Sequence, residues 1–225
     1  MELRKHNPAG DALKRGFDAA GSLLGLALLS PILLILAAGV KLTSSGPVFY
    51  RGTRVGRRGR PFRIFKFRTM MPDAEIRGGP STADGDPRVT RFGRFLRKAK
   101  LDELPQLFNV LVGDMSLVGP RPEVPQYVAL FTEEERSILN VRPGITDWAS
   151  LWNPDEGALL SGDPDPERAY LERIRPEKIR LQLDYVRRRS TWVDLGILAR
   201  TAWVVLGGAS AAGHRKPDES PTEHG

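Results

Sequence analysis

The stretch KLDELPQLFNVLVGDMSLVGPRP, residues 100–122, decides how the rest of the chain is read. It opens on two adjacent carboxylates, Asp102 and Glu103. Leu104, Leu107, Phe108 and Leu111 follow at a spacing that places four apolar side chains on one face of a short helix. Pro105 is tolerated only in a first turn, so the helix is predicted to begin near Asp102 and to end at Gly113. Both acids then lie at a helix N-terminus, where free N–H groups and the macrodipole favour negative charge. A carboxylate kept ionised there can serve as a nucleophile or a metal ligand. The plainer reading makes Asp102 an N-cap, on spacing alone the commoner outcome, although its best partner position falls on Pro105, which has no N–H.

The 225 residues suit one domain with a real core. A net charge of +7 and a pI near 10.0 point to polyanionic partners: phosphorylated ligands, anionic lipid or nucleic acid. The chain has no cysteine, which excludes thiolate chemistry, zinc–thiolate sites and disulfides and leaves the redox compartment open. Its three histidines, His6, His214 and His224, sit near the termini, so acid–base work falls to carboxylates aided by lysine and arginine.

Residues 1–16 form a basic segment, and Ala19 to Val40 carries no charge. Those 22 residues would span a bilayer as one helix; the run is too long for a cleaved signal peptide. Ser30 and Pro31 stand at its middle, where proline removes a hydrogen bond and predicts a strong bend. Positive charge flanks both ends, with Lys14 and Arg15 before and Lys41, Arg51 and Arg54 after. Because positive charge marks the cytoplasmic side, a hairpin over residues 17–42 that enters and leaves by one face fits better than a spanning helix. An ordinary spanning helix with a tolerated proline kink is the alternative.

Residues 48–70 are predicted to form a strand pair turning at Arg57 to Gly59. Eight of the 18 residues from Arg51 to Arg68 are basic, a density that suits phosphate or anionic headgroups of membrane lipid. No nucleic-acid motif accompanies it, so nucleic acid is not expected as a partner. Residues 71–88 read as a Gly/Pro/Asp loop, and VTRFGRFLRKAK as a basic helix with Arg91, Arg94 and Arg97 a turn apart.

At this point the chain resembles the bacterial sugar transferases, the monotopic polyprenyl-phosphate phosphoglycosyl transferases, in a small form. The matching text is the apolar run with Ser30-Pro31, then KFRTM (66–70), then LDELPQLFNVLVGDMSLVGPRP (101–122), in order across residues 14–206. The resemblance implies transfer of a phosphosugar from a UDP-sugar to a polyprenyl phosphate (undecaprenyl phosphate), with release of UMP and use of Mg²⁺. The site would be the cytoplasmic face of the bacterial inner membrane, and the product would initiate exopolysaccharide or lipopolysaccharide synthesis. It further implies that Asp102 is the nucleophile and that Glu103 supports metal and geometry, both acids being metal ligands. Lys66, Arg68, Arg97 and Arg121 would bind substrate phosphate. Pro120 and Pro122 would shape the site by restricting the backbone around Arg121, and Ser30-Pro31 would break the membrane helix.

The fold expected is α+β and helix-rich. A re-entrant membrane helix hairpin (17–42) is followed by a compact cytoplasmic catalytic domain (43–206) with a small β-hairpin and interfacial helices, then a disordered tail (207–225). Thr132 with Glu135 makes a capping box. RPGITDWAS (142–150) resembles the family's RPGITGWAQ but has Asp147 for glycine and Ser150 for glutamine, which bears on sugar and nucleotide contacts. Residues 176–206 look helical, with an Ile179, Leu183, Val186 stripe. The sugar, the pathway and the oligomeric state, a homodimer included, stay open. The rival reading is a non-enzymatic, membrane-anchored polyanion-binding protein whose acids merely cap a helix.

Overall fold

The computed structural model describes residues 8–74, 76–79, 81–205 and 207. The three histidines and the tail beyond Gly207 lie outside that range.

Helix α1 (Pro8–Thr43) is helical from end to end, Ser30 and Pro31 included. Pro31 offers no N–H to the carbonyl of Ala27, and the Ser30 hydroxyl donates to that oxygen instead, at 2.9 Å. The helix is long and apolar enough to cross a membrane. Its two faces differ in what covers them. Asp18, Ser22, Leu26, Leu36 and Val40 form a stripe buried against the rest of the chain, while Leu13, Leu23, Leu28, Leu34, Ile35 and Leu42 are bare.

Four short strands follow as two nested antiparallel pairs. β2 (Thr53–Val55) pairs with β3 (Pro61–Arg63) across the expected turn, which bends through positive φ at Arg58 and Gly59. β1 (Phe49–Tyr50) pairs with β4 (Lys66–Phe67), setting Phe49 opposite Phe67 and Tyr50 opposite Lys66. Helix α2 (Arg91–Lys98) is capped by the Thr90 hydroxyl, which accepts from Gly93 N. Phe67, Leu96, Leu36 and Val40 then pack together, tying the strands, α2 and the end of α1 into one core.

Helix α3 (Gln106–Val112) starts later than its spacing predicts. Residues 101–103 form a 3-10 turn entered through Lys100 at φ 56°, and α3 ends, as expected, at Gly113 with φ 95°. Its inner face is Gln106, Leu107, Asn109 and Val110; Phe108 is exposed, so the apolar stripe read from spacing is only partly the buried face. Arg15 of α1 donates to the carbonyls of Val110 and Leu111 at 2.6 Å each, capping the C-terminus of α3.

Strand β5 (Ser116–Val118) pairs in parallel with β6 (Gly144–Thr146). Gly119 and Gly144 press backbone to backbone there: a Cβ on Gly144 would overlap the main chain of Gly119, and one on Gly119 the carbonyl of Arg142. Between these strands lies helix α4 (Pro125–Ala129), then the capping box, observed in full: Glu135 N donates to Thr132 Oγ1 and Thr132 N to Glu135 Oε2. Helices α5 (Trp148–Trp152), α6 (Glu156–Leu159) and α7 (Pro166–Ala169) lead through a π-turn into α8 (Arg175–Arg188). Helix α9 (Thr191–Val205) is separate, the chain turning at Arg189.

Candidate active site

The 3-10 turn places Asp102 and Glu103 in different surroundings. Glu103 is held on both oxygens: Lys66 Nζ donates to Oε1 at 2.7 Å, Arg121 Nη1 donates to Oε2 at 3.0 Å, and Arg121 Nη2 also reaches Oε1. Burial pushes the Glu103 carboxyl up, but the guanidinium of Arg121 and the ammonium of Lys66 more than reverse this and hold it well below the usual carboxylate range. Arg121 is raised in return, chiefly by Glu103.

Asp102 is 7% exposed, yet no described residue hydrogen-bonds to its carboxylate. It caps nothing: the 3-10 turn has no side-chain cap, and α3 begins after Pro105. Burial raises its pKa; Lys66 pulls it down, and the neighbouring Glu103 pushes it up again. Lys66, itself lowered by burial, is the cation shared by the two acids.

Arg97 completes the group from α2. Gly93 allows α2 to lie directly on the Thr69 carbonyl, and Arg97 Nε donates to Thr69 Oγ1 at 2.9 Å. From there Arg97 and Asp102 each influence the other's titration. Arg68 stands apart from these cations. Buried at 6% exposure, its guanidinium faces the Ser44 and Ser45 carbonyls, where it braces the turn between α1 and β1.

Pro120 and Pro122 flank Arg121, and the backbone on either side is fastened: Gly144 N donates to Pro120 O at 2.9 Å and Val55 N to Glu123 O at 3.0 Å. Two supports were missed by sequence reasoning. Asn109 accepts from Phe65 N and donates to Arg63 O, locking α3 to the strand that leads into Lys66. Lys178, from α8, is buried between Glu123 at 2.8 Å and Glu156 at 3.0 Å. Although burial alone would lower it, these two carboxylates hold Lys178 well above the ordinary lysine value. No local sequence signal marks either; both depend on contacts between distant segments.

Residues 9–208 match the model of the family described as bacterial sugar transferase. The chain belongs to the bacterial sugar transferase family. Among the relatives of this chain is the UDP-N-acetylgalactosamine-undecaprenyl-phosphate N-acetylgalactosaminephosphotransferase of Aeromonas hydrophila, 40% identical over 202 residues (88% of this chain, 45% of that protein). The undecaprenyl-phosphate glucose phosphotransferase of Komagataeibacter xylinus is 42% identical over 195 residues (84% of this chain, 35% of that protein). The UDP-glucose:undecaprenyl-phosphate glucose-1-phosphate transferase of Caulobacter vibrioides is 42% identical over 211 residues, covering 89% of this chain and 74% of that protein. The chain thus spans less than half the length of the first two relatives.

Proposed function

We propose that the chain transfers a phosphosugar from a UDP-sugar to undecaprenyl phosphate through a covalent intermediate on Asp102. The observation that carries this reading is the division of the acid pair. Glu103 is committed to Lys66 and Arg121, whereas Asp102 lies beside the same cations with its carboxylate unengaged by any described residue. An Asp102 oxygen would attack the β-phosphorus of the UDP-sugar; the bond from that phosphorus to UMP breaks, and UMP leaves with the electron pair. An oxygen of undecaprenyl phosphate would then attack the same phosphorus and return the carboxylate. Splitting the transfer in this way is the usual benefit of covalent catalysis. The rival polyanion-binding reading assumed that the acids cap a helix, and Asp102 does not.

Lys66, Arg97 and Arg121 would hold the diphosphate oxygens as charge-assisted donors. No cluster of three or more metal-ligating side chains occurs among the described residues. The donor set suits an ion of the magnesium type, which takes one or two carboxylates and completes its shell with water and substrate phosphate. Asp102 has the free oxygens for this, while those of Glu103 are already engaged. Bound there, Mg²⁺ would neutralise diphosphate charge as the bond to UMP breaks.

The membrane setting follows from α1. One stripe of it rests on the domain along its length and the other is bare and apolar, the pattern of a helix lying between a protein and one leaflet. The reading is attachment from the cytoplasmic face alone; the re-entrant hairpin expected from Ser30-Pro31 would need a bend there, whereas α1 stays helical through both residues. A screen for UMP release over a panel of UDP-sugars, with mass spectrometry of enzyme trapped without acceptor, tests the chemistry. The expected adduct is on Asp102; turnover with the adduct elsewhere, or no UMP from any UDP-sugar, overturns it.

A further inference from the structure

Asp147 and Ser150, the two departures from the family's wording, touch each other. Asp147 is fully buried at the end of β6, where its Oδ1 accepts from Ser150 N and from Ser150 Oγ, both at 2.7 Å, and so caps α5. A cap needs one oxygen. The other, Oδ2, points the opposite way and accepts from the backbone N–H of Arg121 at 3.2 Å. Arg121 carries the only N–H in the Pro120–Arg121–Pro122 segment, so this is the segment's only main-chain donor. Gln182 of α8, also fully buried, donates its Nε2 to Asp147 Oδ2 at 3.4 Å and lies 3.5 Å from the Arg121 carbonyl. Both polar groups of the Arg121 main chain are therefore gripped by side chains that, among the described residues, hydrogen-bond to neither acid of the pair.

Asp147 also forms no ion pair among the described residues. Burying a carboxylate that pairs with no cation is costly unless its hydrogen bonds are made good, and a neutral serine would cap α5 about as well. The charge is accounted for by the second oxygen and what it holds. We propose that Asp147, backed by Gln182, is a positioning residue for the transfer: it fixes the Arg121 peptide so that the guanidinium is delivered to Glu103 and to substrate phosphate in one orientation. This rests on the transferase reading above and adds to it a residue that touches no substrate.

The test uses the full chain in nanodiscs, with whichever UDP-sugar the wild type consumes. Asp147→Ser keeps a capping oxygen and loses the reach to Arg121. Gln182→Met leaves the cap untouched and serves if the first variant fails to fold. Ser150→Ala disturbs only the Oδ1 side. The expected result is a fall in kcat of about tenfold or more for Asp147→Ser and Gln182→Met, with KM for the UDP-sugar within about twofold. Ser150→Ala should stay within about twofold of wild type in kcat. Unchanged kcat in both of the first two variants overturns the proposal, as does an equal loss in Ser150→Ala, or a rise in KM alone. A wild type that releases no UMP sinks the functional reading itself, whereas an active wild type with indifferent variants sinks the positioning role alone.

Discussion

Arg121 grips Glu103 as a fork, Nη1 donating to Oε2 at 3.0 Å while Nη2 takes Oε1, the oxygen that Lys66 also reaches at 2.7 Å. One carboxylate thus balances two half-buried cations. Glu103→Gln leaves Lys66 and Arg121 facing each other with no carboxylate bonded to either, Asp102 standing beside them without a hydrogen bond. The expected cost is about 2 to 3 kcal/mol of stability, after discounting for partial exposure. A thermal melt in detergent, with transferase activity measured alongside, should show both falling together.

Asp102→Asn is expected to do the reverse to stability. The folded pKa of Asp102 is raised, chiefly by burial, so its neutral form is the one the fold favours. That contribution is present below the ordinary carboxylate value and is lost as pH rises through the raised one. Asparagine stays neutral throughout. The variant should form no phosphosugar adduct at any pH, yet melt about 2–4 °C higher at neutral pH for each kcal/mol relieved. The gain should vanish in acid, where wild-type Asp102 is protonated too. A lower melting temperature at neutral pH would contradict the assignment of Asp102 as the strained acid.

Local chemistry made much of this legible in advance. The hairpin turn at Arg57–Gly59, the cap at Gly113 and the Thr132–Glu135 box each depend on residues a few positions apart, and each formed as expected. The start of α3 was misread because a helix was assumed to run unbroken through Pro105. Instead Lys100 adopts a left-handed conformation and the acids occupy a tight turn of their own. Arg68 looks like its basic neighbours in sequence, but its guanidinium is taken up by the Ser44 and Ser45 carbonyls. Asn109 acts across 44 and 46 residues of chain, Asp147 across 26 and 35, and Lys178 joins Glu123 and Glu156 from other elements; no periodicity carries that information.

Two limbs should bound the pH profile of adduct formation, measured in single turnovers without acceptor. On the acid side the rate falls as Asp102 protonates, and because burial raises its pKa, the fall begins above the ordinary carboxylate range. On the alkaline side Lys66 loses its proton earlier than a solvated lysine, again through burial, and with it goes one cation beside the phosphate. Lys66→Arg should lower the rate, since a guanidinium fits an ammonium site poorly, but abolish the alkaline limb, because arginine stays charged. An alkaline limb unchanged in that variant would assign it to another group.

The ends of α1 set the last expectation. Near its start Asp11 pairs with Arg57 at 3.1 Å, and near its end Leu36 and Val40 pack on Phe67. Arg57 lies in the turn that joins β2 to β3, and Phe67 in β4, ten residues on. A helix spanning the bilayer would draw the polar strands that touch it near both ends into the hydrocarbon. Both ends should therefore face the same compartment. The chain has no cysteine, so single substitutions report cleanly. Ala12→Cys and Arg60→Cys, both at exposed positions, should react with a membrane-impermeant maleimide in inside-out vesicles and be protected in right-side-out ones. Opposite patterns at the two sites would establish a spanning helix and rule out attachment from one face.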